Sequence, residues 1–376
     1  MNEKAKIVNE HNKNKSEKSE EDINNNLRDA KNKGKKQNKF ELCNDFFKSQ
    51  QNPKLKKQPS NNILNDFIMI DNSTYSNKNV LTEEEWEIIL KHHKREETIN
   101  NENKKISESL EYGIPPNLRD KIWIYLSQSE TLEMNYSKNF YCSLLKSNGN
   151  NNPSVHNINK DIQRTFFSPS FSKEEMKIKL FNILCAYSLF DKSHGYAQGT
   201  NFIVLTILKI IENEKDAFWV FLSLMLQKYW KDIYVQGSEK LNSLLGKLRF
   251  NLKLKVPKVY EYLNQCNFFP EFPAAFSQYF YTLFSYGDYE ELSFKIFDLF
   301  WIYGGDIIIE TLLNAINLSQ YIILQQSPEM LCTYFSQHLI TTVIDKHGID
   351  KCIPKLKLKK IWSYQNIQIQ NDINNK

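Results

Sequence analysis

Apolar residues begin to recur every three or four positions at about residue 80, and they do so for most of the remaining chain. Before that point no sustained period exists. The stretch "LTEEEWEIILKHHKR" places Trp86, Ile89 and Leu90 on one helical face. Thr82 with Glu85 three residues on forms a capping box at its start. In "GIPPNLRDKIWIYLSQ" the prolines suit a helix's first turn, and Leu118, Ile122 and Leu126 form a stripe. After the polar loop "SNGNNNPSVHN" comes "INKDIQRTFFSPSFSKEEMKIKLFNILCAYSLF". There Ser172 and Glu175 make a second capping box, and Met176, Leu180, Ile183, Leu184 and Tyr187 repeat at helical spacing. That helix should stop near Asp191, ahead of Gly195.

The later segments keep the style. "NFIVLTILKII" reads as a largely buried helix and "DAFWVFLSLMLQKYW" as an amphipathic one. Further helix-length segments follow, such as "LNSLLGKLRFNLKLK" and "DIIIETLLNAINLSQYIILQ", joined by short breaks. Neither an alternating strand–helix pattern nor a phosphate-binding glycine loop occurs. The pattern predicts an all-α fold, helices stacked as pairs about one core, without the fixed period of a solenoid.

Composition narrows the picture further. The chain has 376 residues, 24 Phe and 19 Tyr against only 11 Gly and 11 Pro. It has ample material for a large core and few turn residues for an all-β fold. The net charge of +5 is unevenly placed. Residues 1–60 carry 15 Lys and Arg against 9 Asp and Glu, whereas the remaining 316 carry 34 against 35. A nucleic-acid groove would make the main domain basic, so nucleic acid is not an expected partner. The excess lies in an Asn/Lys-rich stretch whose composition reads as a disordered, solvated arm. Six scattered cysteines without a CxxC pair favour reduced thiols in a cytosolic setting. The start has no secretory signal, and the best apolar run, "FIVLTILKII", is about half of the roughly 20 residues a bilayer requires.

Three stretches carry candidate chemistry. In "LRDKIW", Arg119 and Trp123 stand at i,i+4, where a guanidinium can pack over an indole; a structural packing pair is the simpler reading. In "INKDIQRT", Ile158, Asp161 and Arg164 fall along one helix edge, and Asp161 can orient Arg164 or form an ordinary surface ion pair. In "KSHGYAQGTNFI", Tyr196 and Gln198 sit between Gly195 and Gly199, an unusual content for a connector. His194 in that loop has no evident Asp or Ser partner nearby, and reads as a solvated bystander.

Taken in order, these stretches resemble the three signature motifs of TBC domains, the GTPase-activating modules for Rab-family small GTPases. The motifs RxxxW, IxxDxxR and YxQG are met by Arg119–Trp123, Ile158–Asp161–Arg164 and Tyr196–Gln198–Gly199. The resemblance spans roughly 111–335. It implies a single large all-α TBC-type domain there, after an arm over 1–79 and a lead-in helix over 80–110. A helical end and tail would occupy 336–376. It also implies a dual-finger mechanism. Arg164 would be the arginine finger, Gln198 would orient the attacking water, and Asp161 would fix Arg164. Gly195, Tyr196 and Gly199 would shape the loop, with Asn201 kept beside it. The implied partner is a Rab-family GTPase in its GTP form, which itself supplies GTP and Mg²⁺; no cofactor of the chain's own is expected. The chain would be cytoplasmic, meeting endomembranes only peripherally and through partners. The alternative is a catalytically silent TBC fold that binds a Rab or serves as a scaffold.

The chain departs from the family pattern in places. Thr200 stands where Met is usual, Lys295 and Phe297 where Arg and Trp are usual, and Tyr279 where Trp is common; Asp298 is kept. Spacing adds one geometric expectation. A helix over 173–190 separates the two fingers by about 27 Å, so "TFFSPSFS" should run back nearly straight, or the helix must be shorter.

Overall fold

The computed structural model describes residues 80–91, 99–147, 152–165 and 174–353, apart from the side chains of 99–104 and of 227 and 228. The arm over 1–79, Ser172 of the second capping box, most of the "TFFSPSFS" link and residues 354–376 lie outside it. Among the described residues every regular element is helical.

The chain enters through α1 (Glu83–Lys91) and α2 (Ile99–Tyr112). The span 80–110, expected as one lead-in helix, therefore holds two. The capping box forms as its spacing requires. The Thr82 backbone N–H donates to Glu85 Oε2 at 2.9 Å, and the Glu85 N–H donates to Thr82 Oγ1 at 3.2 Å. A 3₁₀ turn at Pro116–Leu118 leads into α3 (Arg119–Ser127), followed by α4 (Ser129–Glu133), α5 (Phe140–Ser147) and α6 (Val155–Thr165). Then come α7 (Glu174–Phe190), α8 (Thr200–Ile210) and α9 (Glu214–Leu226). A 3₁₀ run over Gln227–Tyr234 leads to α10 (Glu239–Lys255), α11 (Pro257–Gln265) and α12 (Phe272–Thr282). The last third contains α13 (Glu290–Tyr303), α14 (Gly305–Leu318), α15 (Gln320–Ile323) and α16 (Pro328–Thr333). A wide π-turn over Tyr334–His338 joins α16 to α17 (Leu339–His347), and α18 (Ile349–Cys352) closes the described chain.

At the centre is α9, which packs on α3, α4, α7 and α8. Every residue from Ala217 to Met225 is buried. It was expected to be amphipathic, but its polar positions lie at the ends, and neighbours cover it on all sides. Among its few interior polar groups, Ser223 donates its hydroxyl to the Ser127 carbonyl. Four tryptophans, Trp86, Trp123, Trp219 and Trp301, are fully buried and spread one continuous core from α1 to α13. The departures at Lys295 and Tyr279 are absorbed locally. Lys295 pairs with Asp350, and the Tyr279 hydroxyl donates to the Phe335 carbonyl at 2.6 Å, inside the π-turn.

Candidate functional site

The site begins on α6. Ile158, Asp161 and Ile162 are buried and seat the helix, leaving Arg164 on its edge. Arg164 Nη1 lies 3.5 Å from Asp161 Oδ1, and the arginine side chain is 38% exposed. It occupies the last turn, where a cation is favoured by the helix dipole. The other oxygen of Asp161 accepts a 2.8 Å hydrogen bond from the Tyr196 hydroxyl. Burial raises the Asp161 carboxyl above the ordinary aspartate range, against the opposing pull of that hydrogen bond and of Arg164. Burial also pushes the Tyr196 hydroxyl well up, so it stays protonated and able to donate.

The loop between α7 and α8 is shaped by two glycines. Gly195 has φ +63° and Gly199 has φ +102°, both left-handed backbone that glycine adopts at little cost. The Gly199 N–H donates to Asn201 Oδ1 at 3.1 Å. Asn201 Nδ2 donates to Thr165 Oγ1 at 2.7 Å, and that hydroxyl donates to the Asp161 carbonyl at 2.6 Å. The two flanks of the loop are thus tied to Asp161 and Thr165, which bracket Arg164 in the sequence. Gln198 sits between the tied flanks, half-buried, with no hydrogen bond from its amide to any described residue. The usual Met is replaced here without local penalty, because the Thr200 hydroxyl closes the turn onto the Ala197 carbonyl at 2.6 Å.

A side chain at position 199 would meet both a strained φ and the Tyr281 carbonyl, 3.3 Å from an ideal Cβ. Gly199→Ala should therefore cost about 1–2 kcal/mol. A lower urea midpoint at unchanged slope would register it. An unchanged midpoint would mean that the turn relaxes freely.

Arg119 and Trp123 are not brought to this site. Both reach Asp298 on α13. The Arg119 Nε and Nη2 groups each donate at 3.2 Å, and Trp123 Nε1 donates at 2.7 Å. The two form a structural pair through that shared carboxylate, with the guanidinium over the Phe294 ring, 5.7 Å from its centroid. Trp123 stacks on Phe297 with ring centroids 5.2 Å apart. His194 also differs from expectation. Its Nδ1 lies 2.9 Å from the Ser193 hydroxyl and 2.9 Å from Asp191 Oδ2, since the chain leaving α7 folds back within one turn. Asp191, Lys231 and Thr165 were not singled out from the sequence. Thr165 directly follows the IxxDxxR motif, and Asp191 ends the periodic stretch, but Lys231 has no local signal.

The Rab-GTPase-TBC domain family model matches residues 116–324. The chain is 28% identical over 268 residues to the Ecotropic viral integration site 5 protein homolog of Homo sapiens, covering 70% of this chain and 31% of that protein. It is 32% identical over 216 residues to the GTPase-activating protein GYP5 of Eremothecium gossypii, covering 57% of this chain and 24% of that one. The chain thus spans less than a third of the length of either relative. Among solved structures, a Chlamydomonas flagellar RabGAP TBC domain superposes with a TM-score of 0.59 at 21% identity, covering 71% of this chain and 87% of that one. At that identity the superposition speaks for the fold. The matched span contains all three motifs and the helices that carry them, and the chain belongs to the Rab-GTPase-TBC domain family.

Proposed function

We propose that this chain is a GTPase-activating protein for a Rab-family small GTPase, acting on the partner's GTP-bound form and serving vesicle trafficking at endomembranes. The observation that carries the reading is the Tyr196–Asp161 hydrogen bond, which joins the loop of Gln198 to the helix of Arg164. Two head groups suited to phosphate chemistry are carried on elements joined by that bond: the Gln198 amide is unspent on described neighbours, and Arg164 is engaged only by Asp161 on its own helix. A tether made only for binding has no need of both. The relatives named as GTPase-activating proteins support the same reading.

The chemistry follows from the residue types. Water attacks the γ-phosphorus, the bond to the β–γ bridging oxygen breaks, and GDP and phosphate leave. The bound nucleotide and Mg²⁺ come with the GTPase. Arg164 brings a permanent charge and a planar fork of donors to the phosphate oxygens, where negative charge grows. The Gln198 amide accepts from the attacking water and donates elsewhere, holding it in line. Asp161 restrains Arg164 and, through Tyr196, keeps the two fingers in register. Docking of the partner over this surface excludes bulk water.

The test is single-turnover GTP hydrolysis by a panel of Rab GTPases with and without the chain. Strong stimulation of at least one member is expected. Binding of GTP-loaded Rabs without stimulation of any would overturn the reading in favour of a silent module. Gln198→Ala should lower the stimulated rate by roughly 10²–10³, the loss typical of one preorganised polar group. Its melting temperature should stay at the wild-type value, because the amide has no bond to a described residue to lose.

A further inference from the structure

Asp191 caps the end of α7 and is almost fully buried, its side chain 5% exposed. Its Oδ1 accepts from the Ser193 hydroxyl at 2.6 Å and from the His194 N–H at 3.3 Å. Its Oδ2 accepts from Lys231 Nζ at 3.1 Å. Its own carbonyl accepts the Gly195 N–H at 2.7 Å. Burial alone would raise this carboxyl, but the hydrogen bonds from Ser193, His194 and the Lys231 ammonium outweigh it and hold the group well below the ordinary aspartate range. It stays charged, and so does the reason for Lys231 to remain.

Lys231 belongs to the 3₁₀ run Gln227–Tyr234, which is itself anchored. Trp230 and Ile233 are buried. The Tyr234 hydroxyl donates to the Tyr281 carbonyl at 2.7 Å. That same carbonyl is the atom nearest to a Cβ at Gly199. The 3₁₀ run therefore holds the start of the Gln198 loop through Lys231 and Asp191, and through Tyr234 it holds the Tyr281 carbonyl that lies close beside Gly199 at the loop's end.

We propose that the Lys231–Asp191 ion pair is a positioning clamp for Gln198, fixing the loop against the 3₁₀ run while Tyr196 fixes it against α6. This rests on the role given to Gln198 above. Ser193 and His194 only curl the loop onto the end of α7; Lys231 ties that curl to a separate element 40 residues on. Removing the ammonium leaves the curl and frees its placement. A shift of about 1 Å in a positioned group can cost about 10²-fold in rate.

The experiment combines rates with loop order. Lys231→Met should lower the stimulated single-turnover rate by about 10- to 100-fold, with the half-saturating concentration of chain unchanged. Lys231→Arg, which keeps the charge, should hold the rate within a few-fold of wild type. In a Gln198→Ala background Lys231→Met should cause no further loss; independent, multiplying losses would overturn the clamp. Amide hydrogen exchange over 194–201 in the chain without partner should quicken in Lys231→Met and recover in Lys231→Arg. Unchanged exchange would overturn the clamp even if the wild-type chain activates a Rab. Failure of the wild-type chain to activate any Rab would instead sink the underlying reading, whatever the exchange shows. Should Lys231→Met not fold, Lys231→Gln tests the same pair, since it removes the charge and leaves Asp191 with its bonds to Ser193 and His194; the same outcomes are expected of it.

Discussion

Arg164→Ala should reduce the stimulated GTP hydrolysis rate by about 10³–10⁵, the contribution an arginine finger makes in trans. The loss should fall on the chemical step. Arg164 is 38% exposed, and its one ion pair among the described residues is with Asp161 three positions back. The Asp161 side chain is only 11% exposed, but it keeps its hydrogen bond from the Tyr196 hydroxyl when the guanidinium is removed. The fold should therefore survive, with Ile158 and Ile162 still seating α6. Arg164→Lys should not rescue the rate, because a single ammonium cannot present the fork of a guanidinium to two phosphate oxygens. Three measurements check the set: single-turnover rate, affinity for the GTP-loaded partner, and melting temperature. A variant that kept the wild-type rate would end the assignment of Arg164 even if the chain activated a Rab.

Local patterns in the sequence carried the fold class and the pieces of the site. The period of the apolar positions marks α3, α7, α8 and α9, and the Thr82–Glu85 box marks the start of α1. Such features are encoded within a few residues, so spacing reveals them. The three motifs could be quoted as they stand, yet what each one does depends on contacts far along the chain. Arg119 and Trp123 converge on Asp298, 179 and 175 residues away. No local reading could show that the guanidinium and the indole would share one distant carboxylate, although the retention of Asp298 in "KIFDLF" was a hint. Tyr196 reaches Asp161 across 35 residues and Lys231 reaches Asp191 across 40. His194 is the instructive miss. Asp191 and Ser193 were in plain view, but only the fold-back at the end of α7 turns neighbours in sequence into partners in space. Full burial of α9 was likewise invisible, because its polar ends imitate one wet face.

Asp298→Ala should be severely destabilising, at about 3–5 kcal/mol. The carboxylate is 2% exposed and receives three donors, two from Arg119 and one from Trp123. Burial raises its pKa, and the Arg119 charge is what chiefly opposes that rise. Deleting it strands a guanidinium that is only 14% exposed and an indole N–H in the core. It also cuts the link that binds α3 to α13 beside the Trp123–Phe297 stack. For a domain of this size each kcal/mol shifts the melting temperature by roughly 2–4 °C, so a fall of roughly 6–20 °C is expected. Asp298→Asn should fall between, since the amide oxygen still accepts one donor while the charge is gone. Because the main cost is an orphaned cation, Arg119→Met combined with Asp298→Leu should recover part of the loss of Asp298→Ala. Well below its melting temperature, Asp298→Ala should still activate its GTPase, because none of these three residues contacts Arg164 or Gln198. A melting temperature within a degree or two of wild type would show that the buried triad contributes little. A loss of activity with the fold intact would show that the Asp298 triad acts on Arg164 or Gln198 at a distance.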